Sequence, residues 1–208
     1  MSTEEAPMQG TAGQVGEGAA ERVRLFVALD LPEPARQALV RWRSGVLREI
    51  GQLRPVAREA LHVTLCFLGS RPATDVQAIA AGLRTTVRTA AVHELEFQTG
   101  IWLPPRQPRV LAVALHDPAG TLGRLQGAAS DVLCRGGWYL PEKRPFLPHV
   151  TVARVPARVR VSAIELPELP AVRFTAPAVT LYRSRLQRSG ARYEPLVSIA
   201  LSYEGRAA

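Results

Sequence analysis

The sequence predicts a mixed α and β protein built as two lobes related by a pseudo-twofold axis, and three observations predict it. Strand-like and helix-like apolar patterns alternate from residue 22 onward. The alternation runs through twice, and each run closes on the same tripeptide, His-Val-Thr, at 62–64 and at 149–151. FVAL at 26–29 leads into the first tripeptide and AVAL at 112–115 into the second, at intervals of 36 and 37 residues. Apolar strand patterns recur by chance in many chains, whereas a histidine and a threonine in register with them do not. Such a repeat marks two copies of one structural unit.

The elements follow in order. Residues 23–29 (VRLFVAL) form a near-continuous apolar run, the pattern of a buried strand. Pro32 and Pro34 then open a helix, because proline fits the first turn, and Leu39, Trp42, Val46, Leu47 and Ile50 recur at helical spacing until Gly51. Residues 61–68 (LHVTLCFL) are the next strand. Residues 72–89 place Val76, Ile79, Ala80, Leu83 and Val87 on one helical face, and 95–102 return as a strand. The second run begins with strand 110–115 (VLAVAL), followed by Asp117-Pro118 as the expected cap and first residue of a helix carrying Leu122, Leu125, Ala129, Val132 and Leu133. Gly136 and Gly137 end it, and 149–154 (HVTVAR) is a strand. The remainder offers strand-like runs at 172–175, 178–183 and 193–203.

Composition narrows the function. At 208 residues, 47% hydrophobic and 21% charged, the chain suits one domain or two lobes sharing a core, and excludes collagen, coiled coil and wholesale disorder. Residues 1–21 have no aromatic side chain and are expected to be a disordered tail, leaving 22–206 as the two-lobed domain. No apolar run reaches the ~20 residues of a membrane span, and the N-terminus lacks the basic start and apolar stretch of a secretory signal, so a cytoplasmic location is expected. Cys66 and Cys134 lie far apart without C-x-x-C spacing, so neither a disulfide framework nor a zinc site is expected. Outside the tail 26 basic residues face 14 acidic ones, and 135–192 alone holds eleven bases against three acids. This excess either serves a phosphate-bearing ligand or reflects arginine-rich composition, Lys143 being the only lysine.

Alternation along a strand puts His62 and Thr64 on one face with Val63, Leu65 and Phe67 on the other, and likewise separates His149 and Thr151 from Val150 and Val152. Two lobes packed about a twofold would turn both histidine faces toward one cleft. Two imidazoles with two hydroxyl donors suit phosphoryl transfer: one histidine takes a proton, the other gives one, and the donors hold the phosphate oxygens. An ordinary imidazole pKa of about 6.5 allows both protonation states near neutrality. His93 and His116 lack the threonine and are read as structural.

Four blocks, RLFVALDLP at 24–32, LHVTLCFLG at 61–69, RPFLPHVTVAR at 144–154 and LYRSRLQRSGARYEPL at 181–196, resemble the RNA 2′,3′-cyclic phosphodiesterases of the two-histidine phosphoesterase superfamily, historically called 2′-5′ RNA ligases. The likeness runs from Arg22 to Tyr203. It implies an α+β fold with two antiparallel sheets lining a central cleft and helices outside. It also implies hydrolysis, without metal or other cofactor, of a terminal 2′,3′-cyclic phosphate on RNA to a 2′-phosphomonoester, with minor 2′-5′ ligation. By the same resemblance His62 is the general acid and His149 the base, an order that pseudo-symmetry leaves open. Thr64, Thr151 and Arg154 contact the phosphate, and Phe67 stacks on the terminal base. Strict alternation opposes both of the latter roles, turning Arg154 and Phe67 away from their histidines, and for Phe67 core packing is the competing reading. Cys66 would share the His62 face as a small filler rather than a nucleophile, and Tyr139, Lys143, Arg144 and Phe146 either grip RNA from the loop at 137–146 or belong to a solvated basic loop. The expected partner is an RNA end, with no membrane, no obligate protein partner and a monomeric chain. A small nucleotide such as an ADP-ribose cyclic phosphate, or a binding module without chemistry, are the alternatives.

Overall fold

A computed structural model describes residues 21–90, 94–187 and 190–201. Its elements are β1 (Arg22–Asp30), α1 (Glu33–Glu49), β2 (Arg54–Pro55), β3 (His62–Pro72), α2 (Asp75–Val87), β4 (Leu95–Leu103), β5 (Val110–His116), α3 (Thr121–Arg135), β6 (His149–Arg154), β7 (Arg173–Phe174), β8 (Ala178–Gln187) and β9 (Gly190–Ala200). Each strand and helix expected from the sequence is present. The two-residue β2, the single 3₁₀ turn at Arg58–Ala60 and the reach of the β8–β9 hairpin were not foreseen. The tail reading for residues 1–20, the end of the last strand at 202–203 and His93 lie outside the described residues. Glu21 is described, and its backbone carbonyl accepts from the Ala73 amide at 2.7 Å.

The strands run β7-β4-β5-β6-β3-β1-β8-β9, every neighbour antiparallel, with β2 alongside β6. One lobe holds β3, β1, β8 and β9, and the other β6, β5, β4 and β7. The two halves join into one nine-stranded sheet through a single pair, Val63 opposite Val150, the central residues of the two tripeptides. The pseudo-twofold axis therefore passes between the motifs. Ladder register also corrects the alignment of the repeat. Phe26 lies opposite Phe67 as Val110 lies opposite Arg154, so FVAL matches 110–113 and not AVAL at 112–115. A two-residue shift preserves the in-out alternation, which is why the apolar pattern could not distinguish the two.

Two of the helices, α1 and α3, cross over between lobes. From the first lobe's connection, α1 packs on β6, and Trp42 donates its indole N–H to the Pro167 carbonyl at 3.1 Å. It reaches that far because β4 carries a glycine beneath it: a Cβ on Gly100 would lie 2.9 Å from the Trp42 ring. In return α3 packs on β3, where Gln126 donates to the Leu65 carbonyl. Asp117 caps α3, but from one turn further out than expected. Residues 117–120 form a turn ending on Gly120 at φ 65°, and the Asp117 carboxylate accepts from the amides of Thr121, Leu122 and Gly123. Its side chain satisfies the unpaired first-turn donors without Asp117 itself occupying the cap. No helix among the described residues is long and apolar enough to cross a membrane.

Candidate active site

Val63 and Val150 are buried in the core, so their neighbours His62, Thr64, His149 and Thr151 face the other side of the sheet, where they line one cavity of about 390 Å³. Continuing the Val63–Val150 register by one residue each way sets His62 across from Thr151 and Thr64 across from His149. Arg154 and Phe67 line the same cavity, against strict alternation. Matching bulges explain both. The β1–β3 ladder skips Leu65 and the β5–β6 ladder skips Val152, each directly after the threonine. One extra residue reverses the phase of every position beyond it. Leu65-Cys66 and Val152-Ala153 therefore both enter the core, and Phe67 and Arg154 both return to the histidine face. They are counterparts under the pseudo-symmetry, an aromatic ring on one side and a guanidinium on the other.

The bulge also corrects the placement of Cys66. Its side chain is 1% exposed, off the His62 face, and burial pushes the thiol up to about 12, so it is a protonated core filler. Phe67 is 41% exposed, which excludes the core reading, and the Arg24 guanidinium lies over its ring at 4.7 Å. Tyr139, Lys143, Arg144 and Phe146 do not line the cavity. His116 ends β5 with Glu96 4.0 Å away, outside the cleft.

Both histidines are held alike. The Nδ1 of His62 donates to the Ala60 carbonyl and that of His149 to the Leu147 carbonyl, each at 2.8 Å and each two residues back in the chain. With Nδ1 engaged, the neutral ring carries its lone pair on Nε2. At His62 the Thr64 hydroxyl donates to that Nε2 across 3.1 Å.

Beyond this shared frame the surroundings diverge. Phe26, Tyr182 and Tyr193 surround the His62 ring with centroids at 5.0, 6.2 and 5.3 Å. Asp30, opposite His62 in the β1–β3 ladder, accepts from Thr180 and Tyr182, each at 2.7 Å. Its counterpart opposite His149 is Ala114. Burial among rings lowers the His62 pKa to about 4, opposed by the Ala60 carbonyl and the Asp30 carboxylate and reinforced by the Arg154 and His149 charges. The free cleft therefore holds a neutral His62 at pH 7. Because the folded value lies below the unfolded 6.5, the unfolded chain binds the extra proton between them, and stability falls as pH drops from about 6.5 to 4. Urea midpoints across that window should fall less steeply for His62→Asn than for the parent chain; equal slopes would refute the buried neutral ring.

Two groups of residues escaped the sequence reading. Arg24, Phe26, Tyr193, Ser184 and Leu186 line the cavity because β1 and the β8–β9 hairpin pass beside it, and nothing in their local pattern signals this. Arg43 sits on the buried face of α1 at 7% exposure, donating to the carbonyls of Val56 and Val152. Its helical spacing, one residue past Trp42 and four past Leu39, was the available signal. Desolvation lowers its pKa.

A family profile described as the 2′-5′ RNA ligase superfamily matches residues 31–188. An Escherichia coli protein named RNA 2′,3′-cyclic phosphodiesterase is 32% identical over 187 residues, spanning 88% of this chain and 98% of that one. A Thermus thermophilus protein of the same name is 31% identical, spanning 88% and 92%. Among solved structures, Escherichia coli LigT complexed with 3′-AMP superposes with a TM-score of 0.74 at 30% identity, covering 88% of this chain and 99% of that one.

Proposed function

The chain belongs to the 2′-5′ RNA ligase superfamily, and from that premise we propose that it is an RNA 2′,3′-cyclic phosphodiesterase, a hydrolase that opens the terminal cyclic phosphate to a 2′-phosphomonoester. The observation that carries this reading is the pair of imidazoles lining one cavity, each fixed through Nδ1 to a backbone carbonyl, with the His62 Nε2 against the Thr64 hydroxyl. In-line displacement at phosphorus puts nucleophile and leaving group on opposite sides, and two residues related by a twofold supply an acid and a base on opposite sides. In this mechanism His149 Nε2 takes a proton from water as its oxygen bonds to phosphorus. The bond from phosphorus to O3′ breaks, and His62 Nε2 gives its proton to O3′. Thr64, Thr151 and Arg154 hold the non-bridging oxygens, and Phe67 offers its ring to the terminal base.

The lowered pKa of His62 fits the acid role once substrate is present. An anionic phosphodiester against Nε2 opposes desolvation and raises the pKa, so the ring gains its proton with the ligand and surrenders it readily in the transition state. Its aromatic surroundings and Asp30, which His149 lacks, support giving the two histidines different tasks. Ligation to a 5′-hydroxyl is the same chemistry reversed, with that hydroxyl replacing water, and follows as a minor activity.

The test is incubation of EDTA-treated protein with a short RNA ending in 2′,3′-cyclic phosphate, resolving 2′- from 3′-phosphate. A 2′-phosphate is expected. A 3′-phosphate would reverse the leaving group. No product from RNA, but turnover of an ADP-ribose cyclic phosphate, would move the substrate to a small nucleotide; no turnover of either would leave a binding module.

A further inference from the structure

A second groove of about 700 Å³ opens directly from the histidine cavity, and the two share Val56, Ala60, Arg154, Ala191 and Tyr193. Beyond Arg154 it is lined by Arg54 of β2 and Arg192 of β9, with Glu59 as its carboxylate. Arg54 and Arg154 are direct cross-strand partners in the β2–β6 pair. Like charges set opposite one another in a sheet are destabilising. Four arginines pair with carboxylates, Arg58 with Glu33, Arg173 with Glu96, Arg183 with Glu21 and Arg185 with Glu194, while most others among the described residues have no ion pair; what sets the groove apart is that two unpaired ones face each other across a ladder. Among the described residues Arg54, Arg154 and Arg192 have no such ion pair. A juxtaposition that costs stability and lacks internal neutralisation suits an anion supplied from outside, and guanidinium forks suit phosphate.

We propose that this groove binds the internucleotide phosphates on the 5′ side of a single-stranded RNA whose 3′ end occupies the histidine cavity, with Arg54 and Arg192 as the phosphate-binding cations. The inference rests on the cyclic phosphodiesterase reading, which supplies the polarity of the strand. Arg154 then stands at the junction between the terminal phosphate and the next. Substrates with an upstream strand gain two phosphate contacts that a mononucleotide cannot make.

The experiment compares Arg54→Ala/Arg192→Ala with the parent chain on two substrates, a hexaribonucleotide ending in 2′,3′-cyclic phosphate and a nucleoside 2′,3′-cyclic monophosphate. The double variant should lose about 10-fold or more in kcat/KM on the hexamer, chiefly through KM, and less than about twofold on the mononucleotide. The plot of log affinity against log salt for the hexamer should flatten by about 1.4, at ~0.7 per single-strand phosphate. Equal losses on both substrates, or an unchanged hexamer, would overturn the proposal. A direct binding arm, with a labelled hexamer ending in 3′-phosphate competed by 3′-AMP, separates this failure from failure of the parent reading. If neither cyclic substrate turns over, the phosphodiesterase assignment falls, while tighter hexamer binding that is lost in the double variant still supports the groove. Parent protein that binds the hexamer no more tightly than 3′-AMP refutes it.

Discussion

Replacing His149 or His62 with alanine is expected to lower turnover of an RNA ending in 2′,3′-cyclic phosphate by about 10²–10⁴-fold, the range that a positioned acid or base contributes. The fold should survive. In each motif the residue that anchors the core is the valine, and burying such a side chain contributes about 1.5–3 kcal/mol, whereas the histidine faces the cleft. Among the described residues the His149 side chain bonds to the Leu147 carbonyl, and its loss costs no more than an exposed hydrogen bond. His62 also packs against Phe26 and Tyr193, so His62→Gln is the gentler companion variant. Steady-state rates read alongside urea midpoints make the check. Near-parental turnover in either variant would refute the paired mechanism, and a collapsed midpoint in His149→Ala would refute the division of labour along the strand.

Arg43→Met is expected to cost about 1–3 kcal/mol of stability, since it keeps most of the apolar stem but leaves the Val56 carbonyl without its donor, whereas the Val152 carbonyl keeps the Val56 amide at 3.0 Å. The same guanidinium ties α1 to β6 and to the segment between β2 and β3. That segment delivers Ala60, whose carbonyl holds His62 Nδ1, so the variant should also weaken activity beyond what its midpoint shift explains. Urea unfolding at pH 7 measures the first effect. A loss below about 1 kcal/mol would mean that water reaches the Val56 carbonyl and that Arg43 is not its essential partner.

What the sequence by itself determined is the part of this protein written in local periodicity. Short apolar runs located β1, β3, β5 and β6, the 3.6-residue spacing of Leu39, Trp42 and Val46 located α1, and the repeated tripeptide identified His62, Thr64, His149 and Thr151 as one constellation. Each follows from contacts within a few residues, so each is visible in a short window. Tertiary structure alone decided the rest. The bulges at Leu65 and Val152 exist only as mismatches between paired strands, and they send Cys66 into the core while bringing Phe67 and Arg154 to the histidines. The rings around His62 and the carboxylate of Asp30 come from β1 and the β8–β9 hairpin, up to 131 residues away in the case of Tyr193. Burial among the rings lowers the His62 pKa while Asp30 opposes the shift, and these surroundings of His62 break the symmetry that the two identical motifs imply. Desolvation and register are properties of strands already assembled, and no window of sequence contains them.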